Sequence, residues 1–157
     1  MATLEHLVVQ GRLKRYRVEL EHPDQPVRYL YAAPAVESWF TDTLASAPCD
    51  RGRNLTPSEQ VDECLYEFVR GEPLAYGHRC RKLEPIARGV WELKTTDVRI
   101  FGWFPKRATF LMVCGEMKVR LPHFKAYQPY VAHVVTFRDH LDLDDPKALT
   151  GGIRDVL

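Results

Sequence analysis

Between His78 and Lys125 stand eleven Lys and Arg against four acids, a local charge of +7 in a 157-residue chain whose net charge is +1, so the remaining residues together carry −6. A basic field concentrated in one stretch is the usual electrostatic footprint of a polyanion partner, and a solvated charged surface is the alternative. Arg81, Lys82, Lys94, Arg99, Lys106, Arg107, Lys118, Arg120 and Lys125 supply cations that would hold phosphates. His123 belongs to the side-chain type that exchanges protons near neutral pH, and Tyr127 offers a ring to stack on a base or a hydroxyl to donate a proton; a structural role is the alternative for both. Together these types suit a polyanionic partner.

The other reactive side chains carry less. Cys49, Cys64, Cys80 and Cys114 show neither zinc-knuckle nor redox-pair spacing, and Cys64 and Cys114 fall on apolar positions where a reduced thiol acts as a small core residue. His133 and His140 are seven apart and could share a helix face, but no third ligand accompanies them at zinc-type spacing, and His78 has no more context, so no metal or cofactor is expected. Trp91, Phe101, Trp103, Phe104 and Phe110 would serve either base stacking or core packing. Core packing is expected for at least four of them, with Trp103, which shares parity with Arg99, as the exception.

These residues need a scaffold, and Val90 to Leu121 supplies its centre. Its alternation predicts strands at Val90–Lys94, Val98–Phe104, Thr109–Cys114 and Met117–Leu121, a four-strand antiparallel meander with one apolar face and one mostly cationic face bearing Glu92, Lys94, Arg99, Lys118 and Arg120. On that face Arg99 would point from the middle of the platform or pair with Glu92. Upstream, Pro34 opens a helix closed by Pro48. Thr56, Pro57 and Glu59 begin a second helix whose buried stripe is Val61, Cys64, Leu65 and Phe68, and Gly71 ends it. Leu7–Leu20 and Val27–Tyr31 read as a hairpin around the turn cluster Glu21–Pro26, and Leu74–Arg88 as a basic loop with one extended piece. Val131, Val134, Val135 and Phe137 predict a final helix over Tyr130–Leu141, followed by the acidic run Asp139–Asp145 and a loose end at Gly151-Gly152. The expectation is one domain, with 1–33 as a hairpin extension, 34–141 as the core and 142–157 as a loose acidic tail. No apolar run has the length of a membrane span and no signal-type core opens the chain, which predicts a cytoplasmic protein without membrane partners.

The order of helix, helix, basic loop, Trp91-Glu92-Leu93-Lys94, Arg99-Ile100-Phe101, the apolar strand Phe110–Val113 and then Lys118 with Arg120 resembles the RelE and HigB toxin superfamily, especially its phage-derived branch, over about Pro34 to Leu141. The spread of the terminal cations to Lys118 and Arg120, and the segment HFKAYQP after them, depart from the family pattern. The resemblance implies an α+β fold, two helices packed on a twisted and mainly antiparallel sheet. It also implies the toxin of a type II toxin-antitoxin pair: a ribosome-dependent, metal-independent messenger RNA endonuclease in which the ribose 2′-hydroxyl attacks the adjacent phosphate. A cognate antitoxin, the ribosome and messenger RNA would be its partners. In that frame Arg99, Lys118, Arg120 and His123 are the catalytic candidates, and Arg81, Lys82, Lys94, Lys106, Arg107, Lys125 and Tyr127 would bind RNA. Two other functions fit the same scaffold: a non-catalytic module that binds a regulatory protein, and an independent RNA-binding protein. The acidic tail would fold near the basic surface and mimic phosphate.

Overall fold

The computed structural model describes residues 1–49, 52–74, 79–83 and 88–157, and shows an α+β architecture in three layers. Among the described residues a six-stranded mixed sheet has the order β1-β2-β6-β5-β4-β3, where β1 is Lys14–Tyr16, β2 Tyr29–Ala32, β3 Cys80–Lys82, β4 Trp91–Lys94, β5 Val98–Lys106 and β6 Thr109–Met117. Neighbours are antiparallel except β2 and β6, which run parallel with Leu30 beside Phe110. Helices α1 (Leu4–Val9) and α4 (Gln128–His140) cover one face. On the other lie α2 (Pro34–Ser38), which continues as a π-helical turn over Trp39–Leu44, then α3 (Pro57–Arg70) and α5 (Ile153–Val156).

Helix α3 forms where the sequence signals it. The Thr56 side chain accepts from the Glu59 N–H, the Glu59 carboxylate accepts from the Thr56 N–H, and Pro57 fills the first turn. Gly71 ends the helix at φ 88°, a left-handed conformation that a side chain disfavours. Its stripe of Val61, Cys64, Leu65 and Phe68 is buried against Trp91, Ile100, Phe104 and Phe110. At the start of the chain the expected strand over Leu7–Leu20 is corrected. Thr3 caps α1 by accepting from the His6 N–H at 3.2 Å, Leu4 and Leu7 bury themselves on the α4 side, and extended structure is confined to Lys14–Tyr16.

The central meander differs in two ways from its alternation pattern. First, Gly115-Glu116 is no turn. Strand β6 runs straight through to Met117, with Gly115 opposite Ile100, and Lys118–Arg120 forms a 3-10 turn, so three strands replace the expected four. The glycine answers packing, since a Cβ at Gly115 would come within 2.6 Å of the Trp39 ring. Gly102 has a similar cause at the bulge where Phe101 faces Cys114 but Gly102 faces Met112: a Cβ there would sit 2.0 Å from the Leu111 carbonyl oxygen.

Second, the sheet has no open cationic face. Phe101, Trp103, Leu111 and Val113 lie beneath Val131, Val134 and Val135 of α4, while their alternates face α3, so β5 is buried on both sides from Val98 to Pro105. The apolar stripe of α4 needed a sheet face to cover, and this one supplies it. The segment expected as a loose tail is stitched to the core. Leu143 bridges Ala2, the Leu149 N–H donates to the Phe104 carbonyl, and the Val156 carbonyl accepts from the Ala108 N–H at 2.7 Å. Of its acids, Asp142 pairs with the Met1 amino group at 3.4 Å. No helix among the described residues is long and apolar enough to cross a membrane.

Candidate nucleic-acid interface

Helix α4 leaves one end of its sheet face uncovered by apolar side chains, and charges gather there. Lys94, Arg99 and Glu116 lie side by side across β4, β5 and β6, and Arg81 on β3 lies beside Glu92 on β4. Period-two alternation puts all five on the α4 side of the sheet. Glu92 is fully buried. One carboxylate oxygen is 2.7 Å from Arg81 Nη2 and the other 3.9 Å from Arg99 Nε. The Arg99 side chain is itself buried, its Nη1 donating to the Val98 carbonyl at 2.9 Å and to the Thr95 carbonyl. Tyr130 donates its hydroxyl to Glu116, whose other oxygen accepts from the Met117 N–H at 2.7 Å. Both acids are thus turned inward.

The cations above them define a ledge. Lys94 is half-buried, and its pKa is lowered by burial and then by its neighbours Arg81, Arg99 and Lys118, against the opposing pull of Glu92. Lys118 follows directly on β6; its main-chain N–H donates to Asp97 and its Nζ to the Leu121 carbonyl at 2.7 Å. Arg120 lies within electrostatic reach of Tyr130, whose hydroxyl is pushed up to about 12 by burial and by its bond to Glu116. Exposed His123 and Lys125 continue the strip into the 3-10 turn Phe124–Tyr127.

No protein-family model, curated protein or solved structure matches this chain. The ledge is therefore read from its own charges and shape.

Of the residues marked out by the sequence, Arg81, Lys94, Arg99, Lys118 and Arg120 come together, and His123 and Lys125 are exposed just after them in the chain. Others do not join them. Lys106 and Arg107 are exposed at the β5–β6 turn, at the far end of these strands, where Lys106 is 3.9 Å from Glu5. Lys82 reaches the α5 side, its Nζ donating to the Gly151 carbonyl at 3.1 Å. Tyr127 is 5% exposed, edge-on to Phe101 at 5.7 Å, which gives it a packing role rather than a free ring. Arg99 holds the sheet end together instead of projecting from it. Trp103, expected as the aromatic exception to core packing, is fully buried. His78 lies outside the described residues, and His133 and His140 line a shallow groove with Arg12.

Two features of the ledge escape a reading of the sequence. Glu92, expected as the alternative partner of Arg99, is also the buried counterion of Arg81. Phe124, 41% exposed and stacked on Tyr127 at 5.8 Å, is its available aromatic surface. The first becomes visible only with the β3–β4 register, and the second lies within the segment HFKAYQP without any periodicity to mark it. Burial pushes the Cys64, Cys80 and Cys114 thiols up to about 12, which removes them as nucleophiles at neutral pH. No cluster of His, Cys, Asp or Glu among the described residues is arranged to hold a metal ion.

Burial raises the Glu92 pKa above its ordinary value, outweighing the lowering by Arg81, Arg99 and Lys94. Between the usual Glu range and the folded pKa, the folded state therefore binds more protons than the unfolded chain. The associated stability is fully present below that range and is lost as pH rises through the folded pKa. In urea unfolding from about pH 4 to about pH 8, the wild type should lose stability relative to Glu92→Gln. Parallel curves for the two proteins would refute this assignment.

Proposed function

We propose that the chain binds single-stranded RNA along the ledge, the binding half of the toxin-like activity that its motifs suggest. The observation that carries this reading is the inward commitment of Glu92 and Glu116, beside which Lys118, Arg120 and Lys125 stand as charges at the surface. Phosphates would lie against these cations, and a base would stack on Phe124. The exposed Val119 beside them adds apolar surface. Binding of a labelled RNA dodecamer followed by fluorescence anisotropy should weaken steeply with salt, with a log–log slope of about −2 to −3 for three to four neutralised phosphates at about 0.7 each. Absence of binding at about 50 mM salt, or a slope near zero, would remove the proposal.

A second reading adds cleavage, and one observation favours it: His123 is exposed, three residues after Arg120 in the chain. In it His123 exchanges the proton, Lys118 and Arg120 stabilise the phosphorane, and Arg99 positions the strand ends from below. Expression of the wild type should then arrest growth and shorten messenger RNA, with relief by His123→Ala. Intact messenger RNA on wild-type expression would leave binding alone, and a cognate antitoxin would have no activity to silence.

A further inference from the structure

The opposite edge of the sheet holds a second group of cations. The β1–β2 pair ends at Tyr16 and Leu30, after which the two arms separate. One arm is tied to the end of α3, where the N–H groups of Val27 and Arg28 both donate to the Val69 carbonyl, at 2.8 and 3.2 Å. The other, Arg17–Glu19, leaves the sheet. Between them opens a slot of about 230 Å³ with Leu30 and Val69 among its apolar lining.

Three arginines line this slot. Arg15 is held by stacking, its guanidinium carbon 5.1 Å from the Tyr29 ring centre and 5.3 Å from that of Tyr31, and its Nη1 donates to the Tyr31 hydroxyl at 3.3 Å. Arg28 lies over the Phe68 ring at 5.5 Å and uses Nη1 for the Phe68 and Glu72 carbonyls, at 3.2 and 2.9 Å. Arg17 is exposed and makes no ion pair or hydrogen bond among the described residues. Against these three charges the described lining offers one acid, Glu19. Among the described residues Arg15 and Arg28 are pre-positioned by aromatic rings and neutral oxygens and make no ion pair, and their other guanidinium N–H groups are open to solvent or to a ligand in the slot. Burial lowers the Arg28 pKa, as expected of a cation desolvated without a counterion.

We propose that this slot binds a phosphate monoester carrying a planar ring, the chemistry of a nucleoside monophosphate. The dianionic phosphate would take guanidinium N–H groups from Arg17 and Arg28, which match its oxygens in pairs. The ring would lie against Tyr29, which is 40% exposed at the mouth. A bare phosphate has the same charge but nothing to place on Tyr29. The site lies across the strand order from Arg81 and Glu92, so it is independent of the RNA ledge.

Calorimetric titration of the full chain with adenosine monophosphate, ribose 5-phosphate and inorganic phosphate tests it. Adenosine monophosphate is expected to saturate at or below about 1 mM, about tenfold tighter than ribose 5-phosphate or inorganic phosphate. Arg17→Ala, which removes an exposed side chain, should weaken it about tenfold, and Tyr29→Ala should erase its advantage over ribose 5-phosphate. Arg28→Lys keeps the charge and the packed stem but not the fork, and should also weaken binding. Lys118→Ala should leave all three titrations unchanged while weakening RNA. No saturation by adenosine monophosphate up to about 10 mM would overturn the proposal. So would wild-type affinity in folded Arg17→Ala and Arg28→Lys, and equal affinity for all three ligands would overturn the assignment of the ring.

Discussion

Trp103→Ala is expected to lower the free energy of unfolding by about 3–5 kcal/mol, the range for removing a fully buried large aromatic side chain. Trp103 lies under α4, 6.3 Å from the Phe137 ring and 6.0 Å from the Arg138 guanidinium, with no exposure to solvent. Its indole N–H donates to the Lys147 carbonyl at 2.7 Å, so the same side chain fills the core and fastens the C-terminal segment. Trp103→Phe separates the two roles. It keeps most of the apolar volume and should cost less, about 1 kcal/mol of it from the missing hydrogen bond. Guanidinium unfolding followed by circular dichroism measures both. RNA binding by the folded fraction should be unaffected. A Trp103→Ala protein that kept its stability and lost RNA affinity would instead make this ring the base platform.

The second large effect is expected at the ledge. Replacing Lys118 and Arg120 together by alanine should weaken single-stranded RNA by about 25-fold at about 0.1 M salt, about 0.7 logarithmic units for each phosphate no longer neutralised, and flatten the salt slope by about 1.4. Neither side chain is part of the two buried clusters, so the unfolding midpoint should hardly move. Reversal of Lys106 and Arg107, which stand at the far end of β5, is the matched control and should leave both the affinity and the slope near wild type. If the control pair matters as much as Lys118 and Arg120, the interface has been placed at the wrong end of the sheet.

How much of this was legible in the sequence follows from the range of the forces involved. Helix α3 was readable because its signals are local: Thr56, Pro57 and Glu59 at one end and Gly71 at the other. Strands β4 and β5 were readable from alternation. Gly115 misled because glycine marks both turns and tight packing, and only the position of Trp39, far away in sequence, decides between them. The cationic face misled for a related reason. Charge at Lys94, Arg99 and Glu116 is confined to the sheet end, whereas Phe101 and Trp103 on the same face belong to α4. Alternation assigns a side chain to a face but does not say which part of that face a later helix will cover. For the candidate site, the identity of the cations was readable. Their division into buried Arg99, half-buried Lys94 and exposed Arg120 was not, because it depends on the register that brings Glu92 beside Arg81.

The parallel pairing of β2 with β6 also bears on how the protein is made. A chain leaving the ribosome presents Leu30, Tyr31 and Ala32 early, but their sheet partners Phe110, Leu111 and Met112 emerge only after α3 and three further strands have been synthesised. Ala2 waits longer still for Leu143. During that interval the edge of β2 that faces away from β1 is unpaired, open to strand exchange with neighbouring nascent chains. High translation rates in a heterologous host should therefore favour inclusion bodies, while slower synthesis or a holdase chaperone that covers Tyr29–Ala32 should raise the yield of folded protein.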